Sequence, residues 1–336
     1  MSPTFRQQMP VLADSEPKPV SDRGMTEMTT VRFEQDHGVG TIVLANPPAN
    51  RIGSQFAADL RAAVHDASLS DSRVLVIRSD GPNFCMGGNV PEWPGKSADW
   101  FRTFIAECNS SFHAIEALRI PTVAVVRGGA IGGGFELALA CDFLVAAEDA
   151  TFFAVEIRSG NIPLAGGLQR LAERVGRARA AKLALLGEPF SGIIAGDLGI
   201  ATLVVPEADL DEASRNLVDK LANGPTKAYA AARTLLKAWS AGGIAAADVM
   251  MLDVAIDLFG TEDRSRGSSR YLYRRRREHA ARTVLALAAG RRRGAGSGRR
   301  RRRGGRRPHC SGSVYARRQC RANRHCLSAL RGTRCA

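Results

Sequence analysis

The stretch GGAIGGGFELALACD occupies residues 128–142 and places five glycines within seven positions, with Glu136 two residues after the last of them. The run TVAVV (122–126) directly before it has the β-branched composition of a buried strand, and the residues from Gly133 onward read as a helix. A strand that leads through glycines into a helix presents unpaired backbone N–H groups and a partial positive charge. The stretch therefore predicts a pocket for an oxyanion.

A phosphate is the usual ligand of such a glycine run, and the spacing here argues against it. A P-loop needs lysine followed by serine or threonine after its last glycine, whereas Phe135 and Glu136 follow Gly134. The dinucleotide fingerprint G-x-G-x-x-G does not fit either, and a carboxylate in the first helical turn would repel a phosphate. We expect a small oxyanion instead, with Glu136 beside it as an acid or a base.

A second glycine loop has the same arrangement. The strand VLVIRS (74–79) leads into SDGPNFCMGGNV (79–90), where Gly87 and Gly88 allow the backbone at Met86 to direct an N–H group inward. Two N–H donors from loops that follow neighbouring strands are what an oxyanion hole requires. The pair of loops predicts a site that stabilises negative charge on a reacting oxygen.

The remaining patterns predict an α/β half followed by a helical half. Two strands around a turn are expected in residues 31–44, a helix from Ser54 as its N-cap, a long helix in 100–118 and a strand in 142–148. Helical patterns dominate after Gly166, with 203–205 as the clear strand. Alternating strands and helices favour parallel pairing.

Five segments, in this order, resemble the crotonase (enoyl-CoA hydratase/isomerase) superfamily over residues 31–267: NPPANRIG, FCMGGNV, GGAIGGGFELALACD, AVEIRSGNIPLAGGLQRL and AGDLGIATLVVP. The resemblance implies an α/β fold in which a crotonase-like spiral of ββα units precedes a helical C-terminal trimerisation region. It also implies homotrimers, or dimers of trimers, and an acyl-CoA thioester as substrate.

Carried over residue by residue, the resemblance implies a set of site residues. The backbone N–H groups of Met86 and Gly133 would form the oxyanion hole, and Glu136 and Glu156 would be the catalytic acid and base. The predicted substrate- and CoA-binding residues are Cys85, Gly87, Gly88, Gly132 and Arg51. Arg51 would bind the CoA phosphates, and Lys96 is a second candidate for that role. No metal is implied, and no cofactor is implied because CoA is part of the substrate.

Three departures from the family pattern concern residues near this site. Met86 stands where many relatives have a small residue, so its side chain is expected to narrow the acyl slot. Asn89 replaces a common aspartate, and Leu168 replaces a common threonine. None of the three removes a reacting group.

The predicted activity is that of an enoyl-CoA hydratase, which adds water in syn geometry to a 2-enoyl-CoA thioester in fatty-acid β-oxidation or related acyl-CoA degradation. One carboxylate would take a proton from water, and the other would carry the proton that reaches Cα. Two carboxyls in a pocket that excludes water push their pKa values apart, which suits one neutral and one ionised partner. Double-bond isomerisation, or another crotonase-type lyase reaction, is the alternative within the same family.

The charge is concentrated at the C-terminus. Residues 268–336 contain 22 arginines, no lysine and one acid, a net charge of +21, so the other 267 residues carry −7 of the total of +14. Such a segment is predicted to be disordered. We hypothesise that it is a frameshifted translation; the alternative is a nucleic-acid-binding arm.

The resulting organisation is a disordered N-terminal extension (1–27), a crotonase-like core (28–205), a helical C-terminal region (206–267) and the arginine-rich tail (268–336). Three scattered cysteines in the body and no secretory leader indicate a reducing, cytoplasmic location. The sequence contains no run of 18 apolar residues, so it predicts no membrane-spanning helix.

Overall fold

The structure, a computed structural model, describes residues 29–262, 264–265 and 267, which all belong to the unit Met1–Tyr271. The predicted N-terminal extension (1–27) and the arginine-rich tail (268–336) lie outside the described residues. Within the described part of the chain, no helix is both long enough and apolar enough to cross a membrane.

The main sheet has six strands in the order β1-β2-β3-β4-β6-β9. Only the hairpin of β1 and β2, which turns at His37 and Gly38, is antiparallel; every other neighbour pair is parallel, as predicted. The strands are β1 (Val31–Asp36), β2 (Val39–Leu44), β3 (Val74–Ser79), β4 (Thr122–Val126), β6 (Phe143–Ala147) and β9 (Leu203–Val205).

A second sheet contains three short strands that sequence patterns do not predict, because two or three residues are too few to show an alternation. Its order is β5-β7-β8, with a parallel and then an antiparallel pair. The strands are β5 (Gly129–Ile131), β7 (Thr151–Phe153) and β8 (Phe190–Ser191).

The predicted helices are present. They are α1 (Ser54–Leu69), α2 (Ala98–Ala117), α3 (Gly133–Leu139), α4 (Gly167–Val175), α5 (Arg177–Leu186), α6 (Gly192–Asp197), α7 (Leu210–Ala222) and α8 (Thr226–Phe259). Non-helical backbone at Gly242 and Gly243 divides α8 into two arms. The prediction that Ser54 caps α1 is wrong: Gly53 is the N-cap, and Glu92 Oε2 accepts the Ser54 N–H at 3.0 Å instead.

Successive ββα units explain how the two sheets arise together. Each long strand is followed by a short extended segment that pairs with the corresponding segment of the next unit. Ile52 bridges to Gly88, Cys85 bridges to Ala130, and β5 pairs with β7. The chain therefore spirals, and the loops after β3 and β5 are brought side by side.

Aromatic packing fixes α3 against the second sheet. Phe135 on α3, Phe152 on β7 and Phe190 on β8 form a buried cluster whose ring centroids lie 5.5–5.8 Å apart. Such ring pairs stabilise the contact beyond the apolar area that they bury. The orientation of α3, which carries Glu136, is thereby set by the core.

The N-terminus of α3 is also seated directly on the neighbouring loop. A methyl group at Gly134 would lie 2.2 Å from the Cys85 carbonyl oxygen, which is a backbone atom that cannot move aside. We predict that Gly134→Ala lowers the free energy of unfolding by about 1–3 kcal/mol, as overpacking of a core does. Denaturant unfolding monitored by circular dichroism measures this difference.

Gly260→Ala is the matched control, because a methyl group there meets no atom within 4 Å. Its free energy of unfolding should stay within about 0.5 kcal/mol of the unsubstituted protein. Equal stability of the Gly134→Ala and Gly260→Ala proteins would contradict the close packing of α3 against the neighbouring loop.

Candidate active site

A cavity of about 320 Å³ lies between the loop after β3, the glycine turn before α3 and the loop that follows β7. Its wall is mostly apolar, and its ionisable carboxyl groups are Glu136 and Glu156. Pockets of this kind, apolar with a few convergent polar groups, are typical of small-molecule sites. The site residues predicted from sequence converge here, with the exceptions described below.

Glu136 lies in the first turn of α3 and is 4% exposed. Its Oε1 accepts hydrogen bonds from the backbone N–H groups of Ala165, at 2.9 Å, and Gly167, at 2.8 Å. Burial is the largest influence and raises the pKa of Glu136 above its ordinary value, although these N–H groups and the positive charge of Arg170 act in the opposite direction. Hydrogen bonds of this kind stabilise the ionised carboxylate.

Glu156 begins the short 3₁₀ helix Glu156–Ser159 after β7 and is 9% exposed. Its Oε2 is buried and has no hydrogen-bond partner among the described residues. Burial raises the pKa of Glu156 from 4.5 to about 7; the hydrogen bond from its own backbone N–H acts in the opposite direction, and the charge of Glu136 adds to the rise. This carboxyl is therefore much easier to protonate than an exposed glutamate.

Both carboxyls flank the same glycine turn. A methyl group at Gly132 would lie 3.0 Å from Glu156 Oε1, and one at Gly133 would lie 4.0 Å from Glu136 Oε2. Glu136 is bound by backbone donors and Glu156 Oε2 is not, so the proton shared by such a pair is favoured on Glu156. The arrangement can present a base and an acid to one bound molecule at neutral pH.

The predicted oxyanion-hole donor Met86 has to be corrected. Its N–H donates to the Ala49 carbonyl at 2.8 Å, and the Gly87 N–H is directed at the Cys85 sulfur. The Gly88 N–H, two residues after Met86, has no acceptor among the described residues, and Gly88 lines the cavity. The donor of this loop is therefore best assigned to Gly88.

The Gly133 prediction agrees with this geometry. Gly133 is the first residue of α3, so its N–H has no partner within the helix, and none is present elsewhere among the described residues. A methyl group at Gly87 would lie 3.6 Å from the Gly133 nitrogen, which places the two loops in close contact. Gly88 and Gly133 can thus direct two N–H groups into one cavity.

The other predicted binding residues divide into two groups. Gly87, Gly132 and Arg51 line the cavity, and Arg51 is exposed to solvent. Cys85 does not line it, and its assignment to substrate binding is corrected. Its thiol is fully buried behind the loop, donates to the Asn50 carbonyl at 2.9 Å, and has a pKa raised to about 12 by burial.

Two of the departures from the family pattern, Met86 and Asn89, have definite places, as has the CoA-binding candidate Lys96. The sulfur of Met86 packs against Gly129 of β5. Asn89 donates to Glu92 Oε1 at 2.7 Å, and Glu92 in turn accepts the Ser54 N–H, which ties the Gly88 loop to α1. Lys96 lies over the Trp100 ring, 5.1 Å from its centroid, and is not part of the cavity wall.

Sequence reasoning missed the residues that form the apolar wall and the backbone groups of Ala165 and Gly167. The helical period of α2 predicts a buried face, but which of its residues face a cavity rather than the core depends on the loops packed against it. The apolar side chains on the wall include Val90, Trp93, Phe104, Ile105, Phe112 and Leu164.

Comparisons with known proteins find relatives of one family. The enoyl-CoA hydratase/isomerase family model matches residues 34–281, so the match runs past the boundary predicted at 267. The probable enoyl-CoA hydratase of Bacillus subtilis is 31% identical over 74% of this chain and 97% of its own length. The 2,3-dehydroadipyl-CoA hydratase of Escherichia coli is 33% identical over 67% of this chain and 87% of its own.

A solved structure supports the same relationship. The crystal structure of enoyl-CoA hydratase from Bacillus anthracis aligns with a TM-score of 0.69 at 27% identity, over 73% of this chain and 96% of that one. The predicted α/β crotonase-like fold is confirmed. The reading-frame hypothesis for residues 268–336 stays a prediction.

The protonation of Glu156 predicts how stability depends on pH. Because the folded-state pKa is raised to about 7 from 4.5, the stability that the Glu156 proton contributes is present below pH 4.5 and is lost as the pH rises through about 7. A glutamine at this position does not ionise, so the Glu156→Gln variant does not lose this stability as the pH rises. The melting temperature of the variant, relative to the unsubstituted protein, should therefore increase between pH 5 and pH 8.

Thermal unfolding in a series of buffers of equal ionic strength measures that difference. Glu148→Gln, which changes an exposed acid, is the control and should give a pH-independent offset. A pH-independent offset for Glu156→Gln as well would contradict a neutral, buried Glu156.

Proposed function

The chain belongs to the enoyl-CoA hydratase/isomerase family, and we propose that it adds water across the double bond of a 2-enoyl-CoA thioester. The observation that carries the proposal is the pair of buried carboxyls, Glu136 with backbone N–H donors and Glu156 Oε2 without one. Hydration needs both a base and an acid. A double-bond shift needs proton transfer but no activated water.

The thioester carbonyl oxygen is held by the N–H groups of Gly88 and Gly133. Negative charge develops on this oxygen as the Cα–Cβ double bond is attacked, and the fixed N–H dipoles stabilise it. Loss of one such donor typically costs roughly 3–4 kcal/mol in the transition state. The apolar wall strengthens the effect because it excludes water from around the dipoles.

The two carboxyls carry the protons. Ionised Glu136 takes a proton from a water molecule whose oxygen forms the new bond to Cβ, and neutral Glu156 gives its proton to Cα. Since both carboxyls flank one glycine turn, H and OH are added to the same face, which is syn addition. Afterwards Glu136 is neutral and Glu156 ionised, and proton exchange through water restores the starting state.

The cavity wall supports an assignment of the two ends of the substrate. Exposed Arg51 is suited to the CoA phosphates, and the side chains of Trp93, Phe104 and Phe112 are suited to the acyl chain. Burial of a methylene group on such a wall contributes about 0.8 kcal/mol. We assign the substrate to the acyl-CoA thioesters.

Removing either carboxyl tests the mechanism. We predict that Glu136→Gln and Glu156→Gln each lower the turnover of crotonyl-CoA by at least about 100-fold, because each removes one proton-transfer group. Loss of the enoyl absorbance measures the rate, and chromatography of the product distinguishes the 3-hydroxyacyl-CoA from a shifted double bond.

Glu148→Gln, an exposed acid one loop away, should leave turnover unchanged. Near-normal hydration by either catalytic variant would overturn the two-carboxylate mechanism. Exclusive formation of a double-bond isomer by the unsubstituted protein would overturn the hydratase assignment in favour of isomerisation.

We further propose that the chain assembles as a homotrimer, or as a dimer of trimers, through the second arm of α8. Val249, Leu252, Ile256 and Phe259 recur at helical spacing on this arm and are 61–80% exposed. A contiguous apolar face of this kind is typical of a protein–protein interface. The arm is therefore the surface expected to bury against another copy of the chain.

Leu252→Glu should shift the protein toward monomers, because it places a charge in that apolar contact. Sedimentation velocity measures the distribution of species. Ala62→Glu, which introduces the same charge at an exposed position of α1, should leave the assembly intact. A trimer in both variants, or a monomer before any substitution, would contradict the proposed interface.

A further inference from the structure

Arg170 lies near the start of α4. Besides its ion pair with Glu116, it contacts the loop whose N–H groups bind Glu136. Its guanidinium is 7% exposed and binds Glu116 on α2 through two parallel hydrogen bonds, Nε to Oε1 at 2.5 Å and Nη2 to Oε2 at 2.9 Å. Its remaining nitrogen, Nη1, donates to the Ala165 carbonyl at 2.5 Å. Forked binding of this kind fixes the position of the guanidinium closely.

The Ala165–Gly167 loop lies between Arg170 and Glu136. Ala165 receives Arg170 on its carbonyl and gives its N–H to Glu136 Oε1. A methyl group at Gly166, whose φ is +82°, would lie 2.6 Å from Arg170 Nη1, and one at Gly167 would lie 2.5 Å from Glu136 Cγ. The loop is thus in close contact with the guanidinium on one side and the catalytic carboxyl on the other.

We propose that Arg170 is a positioning residue for Glu136: held by Glu116, it fixes the loop whose two N–H groups bind the carboxylate. The role rests on the proposed function, since it is for water activation that Glu136 must be ionised. Arg170 is not among the residues that line the cavity. Its effect on the reaction is therefore exerted through the loop and through its charge.

The charges around Glu136 predict the direction in which its pKa should change when Arg170 is replaced. The ionisable groups that face Glu136 are Glu156 from the 3₁₀ helix, Cys108 from α2 and Arg170 from α4, with Glu116 behind Arg170. Arg170 favours the ionised form of Glu136, and Glu116 partly neutralises Arg170. Removing the positive charge should therefore raise the pKa of Glu136.

The chain offers a matched control one helical turn further along α4. Arg174 is also largely buried, but it donates to the carbonyls of Leu139 and Cys141 at the C-terminal end of α3. Among the described residues, it makes no hydrogen bond to the Ala165–Gly167 loop. Arg174→Met should lower stability without moving the pKa of Glu136.

The experiment compares Arg170→Met, Glu116→Gln and Arg174→Met in the full-length protein. Carbon-13 NMR titration follows the carboxyl of Glu136, assigned by its absence in Glu136→Gln, and does not depend on activity. Arg170→Met should raise the pKa of Glu136. Glu116→Gln, which releases the guanidinium without removing its charge, should lower kcat. Arg174→Met should leave it in place.

Kinetics with crotonyl-CoA supply the second readout. Arg170→Met should lower kcat about tenfold with little change in KM, and the acid limb of the kcat profile should move to higher pH. Arg170→Lys, which keeps the charge but not the forked contact, should restore the acid limb while kcat stays reduced. If Arg170→Met does not fold, kcat in Arg170→Lys and Glu116→Gln still tests the proposal.

An unchanged pKa of Glu136 in Arg170→Met, or an unreduced kcat in Glu116→Gln, would overturn the positioning role. An equal shift in Arg174→Met would also overturn it, because the effect would then be general loosening of α3. If the unsubstituted protein does not hydrate crotonyl-CoA but the NMR shifts appear as expected, the proposed reaction fails and the positioning of Glu136 stands.

Discussion

Two backbone hydrogen bonds to one carboxylate, and none to a nearby carboxyl oxygen, are the constraint on which the proposed chemistry depends. The N–H groups of Ala165 and Gly167 bind Glu136, and Glu156 Oε2 is buried without a partner among the described residues. Two glutamates of the same intrinsic acidity are thereby made unequal by their surroundings. A base and an acid can coexist at neutral pH only because of that difference.

The fold produces the difference through close approach of backbone segments. The spiral of ββα units brings the Gly87–Gly88 loop against the turn at Gly132 and Gly133. The Phe135 cluster fixes α3, which begins at that turn. A methyl group at Gly87 would lie 2.7 Å from the Ile131 carbonyl oxygen and would force the two loops apart, so this glycine is required for their packing. The same segments therefore determine both the position of the proposed oxyanion donors and the position of Glu136.

Gly133 and Glu136 could be predicted from the strand, glycine turn and helix in which they lie, and Glu156 from the resemblance to the crotonase family. The donor in the second loop could not. Whether Met86 or Gly88 has a free N–H depends on the Ala49 carbonyl, which a left-handed turn at Asn50 (φ +47°) brings to Met86. Cys85 was misplaced for a similar reason, because pairing with Ala130 buries it behind the loop. Contacts between loops distant in sequence decided both.

Infrared spectroscopy of the carboxyl groups tests the central claim most directly, because a neutral carboxylic acid has a C=O stretch that an ionised carboxylate lacks. Difference spectra near pH 6 between the unsubstituted protein and each glutamine variant assign that band. Our account predicts that Glu156→Gln removes the band of a buried neutral acid and that Glu136→Gln does not. A band that disappears in Glu136→Gln, or one absent from the unsubstituted protein, would contradict the assignment of Glu136 as base and Glu156 as acid.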